Sequence, residues 1–314
     1  MKRSFISSPS ATALVLCVIS VGAVRAFDDT VRKTFDVSPG GTLTVDTCIG
    51  SIDVTSGPSD EATIEIKRLS NTLSEREAKR LFDEFIIRFE QRGNNVFVFV
   101  EHEDQATFFK RMGNWRLNLR LTAVVPKQFN TDLKTSGGSI SVADLSGRVD
   151  AETSGGSLSF GTIDGPVIGR TSGGSITLAG CRGPADIKTS GGSISIGKVT
   201  GHVEAHTSGG GITVEEVLGT INAATSGGSI TAKMSAQPDA DCKLTTSGGS
   251  ITLYAAKGLK FSIDAKTSGG RVTVDFPVTV QGELSPSRLQ ADVNGGGPNL
   301  YLRTFGGSIH LKQW

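Results

Sequence analysis

The chain has little proline, little cysteine and few large aromatics for its 314 residues: 10 Pro, 4 Cys, 2 Trp and 2 Tyr. So few prolines, with no glycine at every third position, exclude a collagen triple helix. Beyond the first 26 residues only Cys48, Cys181 and Cys242 remain, an odd count far apart in sequence that is not a disulfide framework. Charge of one sign is missing too. Lys and Arg total 32 against 31 Asp and Glu, a formal net charge of +1 without the basic excess that nucleic-acid binding requires. With 37% apolar residues, general disorder is excluded as well. The one long apolar run, Ala11 to Val24, is shorter than the roughly 20 residues of a membrane span. What the chain does have is glycine: 40 residues, about 13% against a usual ~7%.

The N-terminus reads as an export signal. Lys2 and Arg3 precede the apolar run, and Val24-Arg25-Ala26 supplies a small residue for cleavage after Ala26. Leu16 stands before Cys17, where a lipoprotein signal needs a small side chain. Removing residues 1–26 takes Lys2, Arg3 and Arg25 and no acid, which leaves 29 basic against 31 acidic groups and a net charge of −2. No later stretch is long and apolar enough to cross a bilayer as a helix. The mature chain is therefore expected to be exported, either periplasmic or secreted to the cell surface.

Thr-Ser-Gly-Gly begins at Thr135, Thr153, Thr171, Thr189, Thr207 and Thr225, 18 residues apart, and returns at Thr246 and Thr267 after two steps of 21. A variant starts at Thr304 and an early relative at Thr47. Fixed periodicity of this kind marks a repeat architecture. Within each unit glycines fall nine apart, as in Gly138 and Gly147 or Gly156 and Gly165, and alternating residues follow each one. Alternation is the strand signature, so each unit is two short strands, entered through glycine turns that tolerate positive φ. Apolar positions recur in phase: Ile140, Leu158, Ile176, Ile194, Ile212, Ile230 and Ile251 form one column, and Val149, Val167, Ala185, Val203, Ile221 and Cys242 another. Like stacking on like at constant phase predicts an all-β fold, a parallel β-solenoid of 18-residue coils rising ~4.8 Å each. Cys181 and Cys242 fall into apolar columns as small core residues.

The outward positions differ between the two predicted sheets. One carries short hydroxyls: Ser139 and Ser141, Ser157 and Ser159, Ser175 and Thr177, Ser193 and Ser195, Ser229 and Thr231. The other carries charge: Arg148, Asp150 and Glu152, then Asp186 and Lys188, then His202, Glu204 and His206. The hydroxyl columns are the candidate interaction face and the Arg148 to His206 charged columns the other place to look, although short hydroxyls also serve as solvated ladders that stack without charge repulsion.

Solenoids need covered ends. Residues 27–134 are expected to form an N-terminal strand and helix cap continuous with the repeats at 135–270, and residues 271–314 a C-terminal β cap. Ser74-Glu75-Arg76-Glu77 is a capping box, with Leu73 and Ala78 placed as a hydrophobic staple. Ala78, Leu81, Phe82, Phe85, Ile86 and Phe89 then follow helical spacing, which predicts one amphipathic helix running to Arg92-Gly93. Strands are expected at Val96–Glu101 and Trp115–Val125.

Chemistry-bearing motifs are sparse. The Thr-Ser-Gly-Gly-Ser turn contains no acid in any copy, against a calcium β-roll. His202 and His206 lie four apart in strand phase, about 13 Å along a strand, too far to share a metal. The Gly-Gly turns lead into no helix and no Lys-Ser/Thr pair, so they are not phosphate loops. No His and Asp columns flank the turn serines to make a nucleophile. Asp144, Asp164 and Glu216 are the nearest acids for a glycosidase-like site, but Gly180 and Lys198 interrupt their series. No cofactor or metal is called for.

The opening Phe35-Asp36-Val37 with Gly41-Thr42-Leu43-Thr44-Val45 and Gly50-Ser51-Ile52-Asp53-Val54 is one part of a larger pattern. Val124-Val125-Pro126, the Thr-Ser-Gly-Gly-Ser-Ile units and Asn294-Gly295-Gly296-Gly297-Pro298 complete it. Together they resemble the bacterial family named "putative adhesin", domain of unknown function 4097. That resemblance implies a right-handed β-helix on an exported protein and brings no catalytic residues with it. The expected function is a non-enzymatic envelope or adhesive scaffold, with a cell-surface glycan or an envelope protein as the kind of partner. A carbohydrate-active enzyme on a β-helix (lyase or hydrolase) and an ice-binding solenoid are the alternatives.

Overall fold

Apolar side chains at every second position, each turned inward, build two long sheets that face one another. The computed structural model describes residues 27–58, 60–71, 74–103, 117–282 and 285–314. The expected signal at 1–26, Leu73 and Trp115 lie outside them. Within them the chain is mostly β with one short helix, in a β-solenoid-like arrangement of two 14-stranded sheets.

Through the repeats the chain alternates between the sheets, and each strand pairs in parallel with the strand one repeat away. In the first sheet Leu158 pairs with Ile140 and Ile176, then Ile176 with Ile194 and Ile194 with Ile212. In the second, Val149 pairs with Val167, Val167 with Ala185 and Ala185 with Val203. The register is the one that the apolar columns predict, and those columns are buried. Packing within the core is adjusted locally. Phe160 occupies the column of Val142 and Leu178, and Gly169 opposite makes room for it: a Cβ there would lie 3.0 Å from the Phe160 ring.

Both ends are interleaved. At the N-terminal end the coil of Thr42–Thr47 and Ser51–Gly57 lies between two later pieces of chain. Asn95–His102 and Leu117–Pro126 flank it on one side, Asn130–Thr135 and Ile140–Val142 on the other. At the C-terminal end the last coil, Asn299–Thr304 with Ile309–Gln313, runs back into the stack. It slots between Cys242–Thr246 with Ile251–Ala255 and Phe261–Thr267 with Val272–Val274. The variant Thr304-Phe305-Gly306-Gly307 turn is thus stacked in register with the regular ones. Three of the four edges end in antiparallel strands: Phe27–Asp36 on Glu61–Ser70 in the first sheet, and Phe85–Arg92 and Thr279–Val280 in the second, whereas Val272–Val274 ends the first sheet in parallel pairing.

The helix is shorter than its apolar spacing predicts. Ser74 caps it, its side chain accepting from the Glu77 N–H, but the helix spans only Glu75–Asp83. Phe85–Arg92 is instead a strand, turned back through Gly93 (φ +59°) against Asn95–His102. Phe85, Ile86, Ile87 and Phe89 are β-branched or aromatic, poor helix formers that suit a pleated surface. Pairing with the Val96, Val98 and Val100 strand overrides the weak helical period.

Candidate interaction surface

The Thr-Ser-Gly-Gly turns hold the coils together by a side-chain ladder. Nine threonines at the first position, from Thr135 to Thr304, are buried. Each donates its hydroxyl to a glycine carbonyl of the neighbouring coil, as Thr153 does to Gly138, Thr189 to Gly174, Thr246 to Gly228 and Thr304 to Gly249, at 2.7–2.8 Å. In most turns the same hydroxyl also accepts the N–H of the second glycine three residues on, as from Gly156 at 3.3 Å and Gly192 at 3.4 Å. Composition offered no role for these threonines, yet a buried hydroxyl needs such partners.

Glycine at the second position serves the same contact. A Cβ on Gly138, Gly156, Gly174 or Gly192 would sit 1.9–2.2 Å from a glycine carbonyl oxygen of the adjacent coil. The expected reason, positive φ, is not the operative one here, since none of these glycines is in the left-handed region. Close approach of one backbone to the next is what excludes a side chain.

Of the ten hydroxyl-face candidates, Ser139, Ser157, Ser159, Ser175, Thr177, Ser193, Ser195 and Ser229 are exposed and Ser141 and Thr231 half-buried. They stack in register, Ser159 on Ser141 and Thr177 on both Ser159 and Ser195. Ser139, Ser175 and Ser229 are already engaged, each accepting the amide N–H of the serine on the next coil at 3.1–3.2 Å. Part of the hydroxyl face is thus joint chemistry between coils.

On the second sheet the charged columns are cross-linked among themselves. Arg148 pairs with Asp150 at 2.8 Å, and Arg170 and Lys188 both reach Asp186, at 2.8 and 3.0 Å. Glu204 collects His206, His202 and the Asn222 amide. Burial pushes the Glu204 carboxyl up, but the hydrogen bonds from His206 and Asn222 outweigh it and hold the group below the ordinary value. The two histidines that sequence spacing kept from sharing a metal instead share a carboxylate between them. The acids weighed for hydrolysis are occupied as well. Asp144 accepts the Thr162 N–H at 2.7 Å, Asp164 lies 3.6 Å from Arg182, and Glu216 pairs with Lys198 at 2.9 Å.

Where the second sheet meets the Thr-Ser-Gly-Gly turns, a groove follows the stack. One stretch of about 580 Å³ runs past Glu152, Arg170, Lys188 and His206. A second of about 400 Å³ continues it from Thr225 and Thr245 toward the C-terminal coils, past Lys243, Lys266, Tyr301, Arg303 and Phe305. None of the ten hydroxyl-face candidates lines either stretch. Reading the residues in sequence order missed the second stretch, because Tyr301 and Arg303 meet Lys243 and Lys266 only through the inserted last coil.

The three described cysteines, Cys48, Cys181 and Cys242, are free. Burial raises all three thiols, Cys48 to about 11 with Asp46 and Glu101 adding to the shift. Among the described residues no helix is long and apolar enough to cross a membrane.

The family model Toastrack DUF4097 matches residues 41–299. No curated protein matches the chain. Solved structures similar to it include a "putative adhesin" from Bacteroides fragilis, at 15% identity over 90% of this chain and 97% of that one, TM-score 0.34. Another is a "putative adhesin" from Parabacteroides merdae, at 12% identity over 90% and 95%, TM-score 0.33. A "putative lipid binding protein" from Parabacteroides distasonis aligns at 13% identity over 90% and 96%, TM-score 0.35.

Proposed function

The chain belongs to the Toastrack DUF4097 family, and from that premise we propose that it is an exported, non-enzymatic scaffold that acts as an adhesin or a cell-envelope interaction protein. In this reading it is a right-handed solenoid of 18-residue coils, delivered by the signal at 1–26 to the periplasm or the cell surface. It meets its partner through extended side-chain columns. The observation that carries the reading is the in-register stacking of outward residues, which presents the same chemistry repeatedly along one rigid surface. The acids that a hydrolase would use are supportive too, since each is tied to a cation or a backbone amide.

Fractionation of the native host, with whole-cell and glycan binding by the purified chain, tests the proposal. Surface exposure with saturable binding is the expected result. Absence of both refutes an adhesive role. A polysaccharide hydrolysis screen tests the non-enzymatic part, and turnover abolished by changing one Asp or Glu overturns it.

A further inference from the structure

The repeat itself shows what the fold requires at each corner. In eight Thr-Ser-Gly-Gly turns the second residue is serine, and in the ninth it is Phe305. Phe305 is 69% exposed, so the core gains almost nothing from it. An aromatic ring held out to solvent at a corner that serine serves eight times is a departure with a use.

Phe305 lines the groove of about 400 Å³. The strand Asn299–Thr304 runs through the middle of that groove, with Tyr301 opposite Lys243 on one side and Arg303 opposite Lys266 on the other. Arg303 is committed: it pairs with Asp264 at 2.5 Å and lies 3.9 Å over the Tyr301 ring. Lys243 and Lys266 are exposed, and neither is in an ion pair among the described residues. They stand on strands two steps apart and two residues out of register, about 12 Å from one another along the backbone. Two ammonium groups outside any ion pair, Lys243 resting 5.8 Å from the Tyr301 ring centroid, therefore line one groove with the exposed Phe305 ring and the Thr245 and Ser247 side chains. Upstream the same groove has no such excess, because Arg170 and Lys188 share Asp186 and Glu152 lies beside them.

We infer that this C-terminal stretch of the groove binds an acidic saccharide chain, its anionic substituents on Lys243 and Lys266 and a sugar face on Phe305. Charge alone suits any polyanion. The exposed ring is what favours a sugar, whose C–H face packs against an aromatic ring while its hydroxyls meet Thr245 and Ser247. The inserted last coil builds the site, since it carries Tyr301, Arg303 and Phe305 between the two lysine strands. The inference rests on the proposed interaction role and names the ligand class and the place.

The test is a titration of the purified chain with polygalacturonate, dextran sulfate, neutral dextran and poly-L-glutamate at low and high salt. Binding to polygalacturonate or dextran sulfate, weakened by salt, with none to neutral dextran, is expected. Which of those two binds more tightly tells whether carboxylate or sulfate is preferred. Phe305→Ser, which installs the residue of the other eight turns, should weaken binding at least tenfold and leave the thermal midpoint unchanged. Lys243→Ala with Lys266→Ala should remove the salt-sensitive part. Failure of both anionic polysaccharides to bind overturns the inference. So does equal binding of poly-L-glutamate that Phe305→Ser leaves untouched, the mark of a site for acidic peptides. Whole-cell binding separates the two readings. Cells held equally by the Phe305→Ser variant refute the groove and keep the adhesive role, whereas polygalacturonate binding without cell binding does the reverse.

Discussion

Gly155 and Gly156 are neighbours in one turn, and the same substitution should have opposite effects at the two. A Cβ on Gly156 would lie 2.1 Å from the Gly138 carbonyl oxygen, 2.4 Å from its carbon and 2.5 Å from the Ser139 nitrogen. All three are backbone atoms of the adjacent coil, which no rotamer change can move. To admit the methyl, the coils must separate by about 1 Å. The Thr153 hydroxyl then loses its 2.7 Å contact with the Gly138 carbonyl, and the Ser139 hydroxyl its 3.1 Å contact with the Ser157 N–H. Forcing extra volume into a packed site costs about 1–3 kcal/mol, and a buried carbonyl left unpaired about 1–3 more. Gly156→Ala should therefore destabilise by about 3–5 kcal/mol, a fall in thermal midpoint of about 10 °C for a domain of this size. A Cβ on Gly155 meets nothing nearer than 3.8 Å, and its φ lies outside the left-handed region. Gly155→Ala should be neutral or stabilise by about 0.4–1 kcal/mol through the unfolded chain. Paired thermal and urea unfolding decides the matter. Equal loss in both variants, or none in Gly156→Ala, refutes close coil approach as the reason for the second glycine.

Three further outcomes are expected. Thr189→Val keeps the side-chain shape but leaves the Gly174 carbonyl without its 2.8 Å donor, so unfolding should show a loss of about 1–3 kcal/mol that Thr189→Ser largely restores. With its thiol pushed up to about 11 from 9.0, Cys48 should be alkylated by iodoacetamide at pH 8 about 100-fold more slowly than a free thiol; a rate like that of a small-molecule thiol counts against its burial. Glu204, held below its ordinary 4.5, contributes stability that is present above that pH and lost as pH falls through the folded value. Glu204→Gln should flatten the acid limb of the stability profile below about pH 4.5, and an unchanged limb would show that the His206 and Asn222 contacts do not bear on folding.

The stacking order of the middle coils was readable because each column repeats the same residue class in the same phase. A one-residue slip would turn every isoleucine of the Ile140 to Ile251 series out to water, so burial alone fixes the register. Three things were not readable, each for a physical reason. The segment from Ala78 to Phe89 satisfies helical spacing throughout, and only the partner strand at Asn95–His102 decides that Phe85 leaves the helix. The nine buried threonines look like turn polarity in one dimension, because their acceptors are 15 to 85 residues away in sequence. The interleaved ends were hidden because all coils present the same columns. A strand ending in Thr304 fits beside Thr246 as well as one ending in Thr267 would.

Interchangeable coils also make the molecule its own control. Where eight copies agree on serine, the agreement measures what the backbone and the neighbouring coil need, and a ninth copy with phenylalanine measures something else. The same comparison applied to the hydroxyl face gives a different answer. Ser139, Ser175 and Ser229 follow the repeat, and their acceptor role toward the next coil accounts for them without a ligand. Phe305 does not follow it, and neither does Lys243 in a column that holds Asp150, Asp186 and Glu204, whereas Lys266 stands where Lys134 and Lys188 stand in their own turns. A surface that is uniform because stacking demands it is a weak pointer to a partner. The break in that uniformity, in one groove with two cations outside any ion pair and on a coil inserted out of chain order, is the stronger one.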